Sequence, residues 1–456
     1  MFFKIKKIHF IGIGGIGMSG IAEILINKGF TISGSDMYPS DNTEHLSKLG
    51  AEILIGHNAE NIKDVELVVY SSAVNLDTNP EIIEAKKQNI PIIRRAEMLA
   101  ELSRLTYTIA IAGTHGKTTT TSILSLILIR AGIDPTAIVG GRLKDLGGTN
   151  ARLGNGEWTI VEADEYDRSF LQLTPTIALI NNIETEHLDI YSDFNDLLET
   201  FIKFANMTPF YGFIAVGNDC AGVKEALPNF RKKVITFGLN DSADYQAKNI
   251  HYSGFSSRCD VYEYGNLLGS MTLNVPGEHN IKNALGAVLI ARQFDIGFEL
   301  IESVISEFHG AFRRFDVKGE KNGITIIDDY AHHPTEIAAT LKGTKNYTGR
   351  RIIAVFQPHT FTRIRDFYKD FATAFNDADK VYITDIYPAR EEPIEGVTSQ
   401  IIIDEAKKNG TNNMILVSDK EELYNSLMKE LKANDILLTL GAGDIWKLGD
   451  QILNSL

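Results

Sequence analysis

Cysteine is nearly absent from this chain. Cys220 and Cys259 are the only two in 456 residues, and they lie far apart. That excludes a disulfide framework and a cysteine-type metal site, and it suits a reducing compartment. Positive charge is the scarcer sign, with 45 Lys and Arg against 59 Asp and Glu and a formal charge of −14. With no basic block, nucleic acid is excluded as a main partner. No uninterrupted apolar run approaches the ~18 residues a membrane span needs, so no membrane insertion is expected. Lys4, Lys6 and Lys7 before Ile8-His9-Phe10-Ile11 imitate a secretion signal, but the run breaks into glycines with no small-residue cleavage site. The expectation is a soluble cytoplasmic protein. Its length fits about three domains at roughly 100–200 residues each, with an ordinary 44% hydrophobic content. A homo-oligomer is left open.

What is present begins with Ala112-Gly113-Thr114-His115-Gly116-Lys117-Thr118-Thr119-Thr120. An apolar run, Thr108–Ile111, precedes it, and a helix-like run, Ser122–Ile129, follows. A strand, a glycine turn and a helix start together make an anion cradle of backbone N–H groups and helix dipole. Lys117 adds a mobile cation, and the Thr118 hydroxyl can hold Mg²⁺. Gly113 stands only three residues before Gly116, so this loop is shorter than the usual phosphate loop. A nucleoside triphosphate, ATP, is the expected ligand; the alternative is a plain glycine turn.

Three α/β stretches predict a parallel, doubly wound architecture. The first, 1–105, holds strand Ile8–Ile13, helix Ser19–Lys28, and strands Thr31–Ser33 and Leu67–Tyr70. The second, 106–312, holds the phosphate loop, strands Thr159–Val161 and Ile177–Ile180, and a helix from Ile281 to Phe294. The third, 313–456, holds strands Ile324–Ile327, Ile352–Phe356, Lys380–Thr384, Met414–Val417 and Ile436–Leu440, then a C-terminal helix. There is no solenoid-type repeat and no low-complexity segment.

Further motifs sit at strand ends. Gly12, Gly14 and Gly17 form a G-x-G-x-x-G turn with Asp36 about 20 residues on. That pattern admits NAD, another nucleotide diphosphate, or a bare turn. Glu162 is placed to meet Mg²⁺ on ATP phosphates; the neighbouring Asp164, Glu165 and Asp167 read as a solvated acidic turn. His187 also follows a strand end, but Mg²⁺ prefers oxygen ligands, so by residue type it reads as a surface or hydrogen-bonded histidine. Asp328-Asp329-Tyr330-Ala331-His332-His333-Pro334 is either a site or a Pro-terminated turn into a helix from Thr335. Arg313, Arg314, Arg363 and Arg365 are anion-matching cations.

Seven ordered motifs carry a family resemblance. They are Gly-Ile-Gly-Gly-Ile-Gly-Met-Ser-Gly-Ile-Ala at 12–22, Gly-Thr-His-Gly-Lys-Thr-Thr-Thr at 113–120, Glu-Ala-Asp-Glu at 162–165, Asn-Ile-Glu-Thr-Glu-His-Leu-Asp at 182–189, Gly-Glu-His-Asn-Ile-Lys-Asn-Ala at 277–284, Asp-Asp-Tyr-Ala-His-His-Pro at 328–334 and Phe-Gln-Pro-His at 356–359. Together they resemble the Mur ligases of peptidoglycan synthesis over nearly the whole chain. The resemblance implies three α/β domains: a Rossmann-like N-terminal domain (1–105) binding the UDP substrate, a central P-loop-type ATPase domain (106–312), and a C-terminal Rossmann-like domain (313–456) for the amino acid and closure. It implies ATP-dependent amide formation between the lactyl carboxylate of UDP-N-acetylmuramate and L-alanine through an acyl phosphate, with Mg²⁺ as cofactor.

By the same resemblance, Gly113, Thr114, His115, Gly116, Lys117, Thr118 and Thr119 hold the ATP phosphates, and His279, Asn280 and Asn283 face the nucleotide. Thr118 and Glu162 serve Mg²⁺, and His187 a second Mg²⁺. Gly14, Gly15, Asp36, His57, Ser71, Ser72 and Arg95 contact the UDP moiety. Arg314, Arg363 and His333 come from the third domain toward the reacting groups, with Lys117, His187, Arg314 and His333 as the catalytic set. The chain departs from the family pattern at Thr360, where arginine is frequent, and at Ala331, where glycine is usual. A peptide-adding member of the same family is the nearest alternative, and a nicotinamide-dependent oxidoreductase is the alternative from another class.

Overall fold

The computed structural model describes residues 4–71, 73–104, 106–143, 149–186, 190–308, 310, 313–389 and 391–456. The chain divides into two compact units. One comprises 1–249, 260–271 and 279–306; the other comprises 250–259, 272–278 and 307–456.

The first unit opens with a five-stranded parallel sheet. Its order is Glu52–Ile55, Thr31–Asp36, Lys7–Ile11, Leu67–Tyr70, Ile92–Arg94. The order reverses at Lys7–Ile11, so the glycine turn that follows this strand lies at the topological switch point, where α/β sheets bind ligands. Helix Ile16–Asn27 is buried continuously from Met18 to Leu25. An amphipathic surface helix would show one buried stripe; this one is covered on two sides. Its second cover is strand Thr149–Arg152 of the next sheet. Gly20 permits the approach, since a Cβ there would lie 3.2 Å from Ala151 Cβ, and the Asn150 amide donates to Ile16 O.

The second sheet runs Asn266–Leu273, Ser256–Glu263, Tyr245–Ser253, Val234–Gly238, Phe213–Gly217, Ile177–Ile180, Tyr107–Ala112, Trp158–Glu162, Thr136–Leu143, Thr149–Arg152. Its centre is parallel and almost wholly buried, as Ile109–Ala112 and Ile177–Ile180 illustrate. The sequence reading did not identify its two margins. Strands Ser256–Glu263 and Asn266–Leu273 meet at Tyr264-Gly265, both at positive φ, which suits a tight two-residue hairpin turn. The alternating polar residues of these strands gave no continuous apolar run to detect.

The second unit carries a six-stranded sheet in the order Asp316–Lys321, Ile324–Asp329, Asp435–Leu440, Arg351–Phe356, Lys380–Ile383, Met414–Leu416. Only the first strand is antiparallel. The strands Ile324–Asp329 and Asp435–Leu440 are buried at every position. Among the described residues no helix is long and apolar enough to cross a membrane.

Candidate active site

The phosphate loop is fixed from beneath by the end of strand Ile177–Ile180. Thr114 N donates to Asn182 O (3.3 Å), and His115 N donates to Asn182 Oδ1 (2.8 Å). Asn181 and Asn182 return their amides to His115 O at 3.3 and 3.2 Å. Thr114 Oγ1 donates to Glu184 O at 3.2 Å, and Glu184 N lies 2.9 Å from the same hydroxyl. Gly116, at φ 82°, caps helix Lys117–Arg130. A Cβ there would press into the Asn283 carboxamide, with Cγ at 2.8 Å. We expect Gly116→Ala to cost at least about 1–3 kcal/mol, from the left-handed backbone plus that collision, read as a lower urea midpoint at unchanged slope.

The helix begins at Lys117, five residues ahead of the apolar run that announces it, because hydroxyls carry its first turns. Thr121 and Ser122 donate to Lys117 O (2.8 Å) and Thr118 O (2.6 Å). Lys117 Nζ meets Gly113 O at 2.7 Å and both Glu165 oxygens at 2.9 and 2.8 Å. Burial disfavours its charge, but Glu165, with Asp164 and Glu186 behind it, outweighs burial and raises the ammonium's pKa. Thr118 Oγ1 donates to Glu162 Oε2 at 3.2 Å, and Glu162 Oε1 accepts from Gly140 N at 2.6 Å. Thr119 is half-buried beside them on the same turn. A hydroxyl and a carboxylate are the hard oxygen donors Mg²⁺ takes while keeping waters and phosphate oxygens, so this pair fits that ion.

Glu165 corrects the sequence reading. It is not part of a solvated acidic turn: its side chain is 1% exposed and pairs with Lys117. Asp164 and Asp167 do face outward, toward Arg95 (4.0 Å) and Arg94 (3.3 Å). A run of acids at a strand end does not reveal which one turns inward. His187 and Ser72 lie outside the described residues. On helix Glu278–Arg292, His279 is exposed, whereas Asn280 and Asn283 are buried. Asn283 contacts the loop through the Gly116 approach, and its carbonyl accepts from Thr120 Oγ1 at 3.4 Å.

The N-terminal glycine turn is braced by Asp36. Its oxygens accept from Gly14 N and Met37 N, each at 2.8 Å. Gly15 caps helix Ile16–Asn27 without a side-chain cap, which leaves that helix start to its backbone N–H groups. Ser71 Cβ sits against Gly12, and the Arg95 side chain packs over Gly17. His57 belongs to a buried cluster: its Nδ1 lies 2.9 Å from Ser35 Oγ and 3.0 Å from Glu81 Oε2, and Asn61 donates to Glu81 Oε1 at 2.6 Å. Burial alone would raise Glu81; the His9, Asn61 and Ser35 hydrogen bonds together hold its carboxyl below the usual range.

The second unit gathers its own cluster. Arg313 pairs with Asp328 at 3.0 Å and donates to the carbonyls of Gly441, Ala442 and Gly443. It therefore acts as an internal brace. Arg314 stacks over Tyr330 at 5.2 Å and lies 3.9 Å from Glu336. Asp329 accepts from Phe315 N and Ala331 N, and burial pushes it up to about 6. His333 meets Thr335 Oγ1 at 2.8 Å. The residue before it, His332, was not among the candidate site residues; it is half-buried, with its ring against those of Tyr330 and His359. Its Nδ1–H donates to Tyr330 O at 2.9 Å, leaving Nε2 as an acceptor. Burial, with Arg363 and His359 nearby, lowers it to about 3 against the pull of Glu336. His359 is lowered to about 4 by burial and Arg363, whose Nη1 is 3.4 Å from its Nδ1.

Comparison with known proteins matches three family models. "Mur ligase family, catalytic domain" matches residues 7–107, "Mur ligase middle domain" 111–291, and "Mur ligase, glutamate ligase domain" 313–443. The UDP-N-acetylmuramate–L-alanine ligase of Geobacter sp. strain M21 is 49% identical over 99% of this chain and 98% of its own length. That of Geotalea daltonii is 49% identical over 100% and 99%. The crystal structure of UDP-N-acetylmuramate–alanine ligase from Thermotoga maritima superposes with a TM-score of 0.85 at 29% identity, covering 98% of each chain. A murein peptide ligase from Psychrobacter arcticus gives 0.73 at 26%, covering 99% and 98%.

Proposed function

The chain belongs to the Mur ligase family, and we propose that it joins L-alanine to the lactyl carboxylate of UDP-N-acetylmuramate at the expense of ATP. The full-length likeness to alanine-adding relatives carries the choice of substrates. The phosphate loop at the strand-to-helix junction, with a half-buried lysine at its end, supports the ATP dependence. This reading puts the enzyme in the cytoplasm, with its nucleotide substrates.

A carboxylate does not acylate an amine at neutral pH, because its leaving group would be oxide. Phosphorylation of the lactyl oxygen converts that leaving group to phosphate. Charge then spreads over the transferring group's equatorial oxygens, and the protein must supply cations around it. Lys117 and the N–H groups at the start of helix Lys117–Arg130 are the groups for that task, since Thr114 N and His115 N are already held by Asn182. Thr118 and Glu162 would hold Mg²⁺, which when bound offsets phosphate charge. In the N-terminal domain, Gly14, Gly15 and Arg95 would hold the diphosphate of the sugar nucleotide, with His57, Ser71 and the Asp36-braced turn around it. Arg314 and Arg363 supply the third domain's cations for the phosphate and the alanine carboxylate. The amine of alanine, as the free base, attacks the acyl carbon and phosphate leaves. Water must be kept from that intermediate, which calls for closure before transfer.

The test is phosphate release with UDP-N-acetylmuramate, ATP and a panel of amino acids and peptides. L-Alanine is expected to support the fastest turnover. Release stimulated by a preformed peptide and not by alanine would overturn the assignment in favour of a peptide-adding activity.

A further inference from the structure

The ammonium of Lys117 has three protons. The two Glu165 oxygens (2.9 and 2.8 Å) and Gly113 O (2.7 Å), with Thr114 O farther off at 3.4 Å, are enough to use all of them. No proton remains for a phosphate. A nucleotide must therefore displace one of these acceptors, and the loop carbonyls differ from the carboxylate. Gly113 O and Thr114 O are neutral carbonyls of the loop itself. The carboxylate is an anion with 1% of its side chain exposed, and a second anion placed beside it would be repelled in a poorly screened site.

Glu165 is also held where it stands. Its carbonyl accepts from the buried Tyr191 hydroxyl at 2.6 Å and from Arg168 N at 2.9 Å. Asp167 and Arg168 both adopt left-handed backbone, at φ 55° and 54°. This conformation is costly for side chains of their size. It is secured by the Arg168 guanidinium, which pairs with Asp196 at 2.5 Å, donates to Thr200 at 3.2 Å, and lies 4.8 Å over the Tyr191 ring. The backbone is anchored, so the exchange of partners falls to the side chains.

We propose that Glu165 is a positioning residue for Lys117: it parks the ammonium across the mouth of the phosphate loop, and the triphosphate takes its place. This rests on the ATP-dependent reading above. In the free enzyme the pair keeps a buried carboxylate and a half-buried cation satisfied. In the bound enzyme Lys117 turns to the phosphate, and Glu165 is the group that loses it. Part of each nucleotide's binding energy is thus spent on separating the pair.

The experiment is calorimetric titration of Glu165→Gln and Glu165→Asp with ADP and with the β,γ-imido analogue of ATP. Glutamine keeps the shape and an acceptor but removes the charge. We expect it to bind the triphosphate analogue about tenfold tighter or more and to lower KM for ATP without raising kcat. Aspartate, which restores the charge on a shorter arm, should return affinity toward wild type. A glutamine variant that melts like wild type yet binds the analogue equally or more weakly overturns the proposal. Should that variant fold poorly, wild-type protein crystallised with the analogue decides. Lys117 and Glu165 separated beyond hydrogen-bonding distance supports the proposal, and an intact pair beside a bound triphosphate sinks it. Wild-type protein that binds neither nucleotide overturns the functional reading and this proposal with it; normal nucleotide binding with no effect of Glu165→Gln removes the proposal alone.

Discussion

Lys117→Ala is expected to reduce phosphate release at least about a hundred- to a thousandfold, the range lost when one preorganised donor to a developing charge is removed. Binding of UDP-N-acetylmuramate should survive, because its glycine turn is braced by Asp36 and Ser35 and not by the phosphate loop. Stability complicates the variant. It leaves the Glu165 carboxylate, 1% exposed, without its ammonium, and breaking a buried pair from one side costs about 3–5 kcal/mol. Inactivity from unfolding must be separated from inactivity from lost chemistry. The double variant Lys117→Ala with Glu165→Gln removes the carboxylate charge as well, so it should recover most of the melting temperature and none of the turnover. If the double variant regained turnover with the melting temperature, Lys117 would be a structural residue. ATP consumption at the wild-type rate by the single variant would end its catalytic role outright.

The third domain should be acid-labile through His332 and His359. Their folded pKa values, about 3 and about 4, lie below the value near 6.5 of an unfolded histidine. Below pH ~6.5 the unfolded chain takes up protons that the folded domain refuses. Each histidine therefore stabilises the domain fully above that pH and progressively less as pH falls toward its folded value. Between pH 7 and 5 the loss is about 2 kcal/mol per histidine. Asp329 runs the other way. Its pKa is raised to about 6, so its contribution is present in acid and lost as pH rises through that value, which offsets about 1 kcal/mol over the same interval. Replacing both histidines with glutamine should flatten the dependence, and Asp329→Asn should steepen it. The chain has two tryptophans, Trp158 and Trp446, and only Trp446 falls in the second unit. Urea unfolding in a Trp158→Phe background, followed by Trp446 fluorescence at pH 5 and 7, reads this domain. An unchanged slope with pH in the glutamine pair would contradict the burial of these rings.

Much of the site was legible because its chemistry depends on backbone. A phosphate loop requires glycine at fixed places between a strand and a helix, and Gly113, Gly116 and Lys117 lie where that logic puts them. The parallel strands were legible for a related reason. Covered on both faces, they read as short apolar runs, and Leu67–Tyr70 and Ile177–Ile180 are delimited residue for residue. Side-chain direction was not legible. Nothing in Glu-Ala-Asp-Glu distinguishes the carboxylate facing Thr118 from the one facing Lys117. Nothing in Ala-His-His-Pro says that the first histidine turns to Tyr330 O and the second to Thr335. These directions depend on neighbours distant in sequence: Lys117 meets the Glu165 carboxylate while Tyr191 holds its backbone carbonyl, and His359 packs on the His332 ring. The margin Tyr245–Leu273 escaped because its strands alternate buried and exposed positions and carry no apolar run.

Helix Ile16–Asn27 serves two sheets at once, its inner side on one and its Gly20 side on the strand Thr149–Arg152. The lobe that reads as the first domain is therefore not a detachable module. Cut after residue 105, it would keep its own sheet but lose the far wall of its first helix, baring apolar surface that no solvent-facing residue of that helix is there to mask. Any shuffling of this lobe between chains has to carry the partnering strand with it.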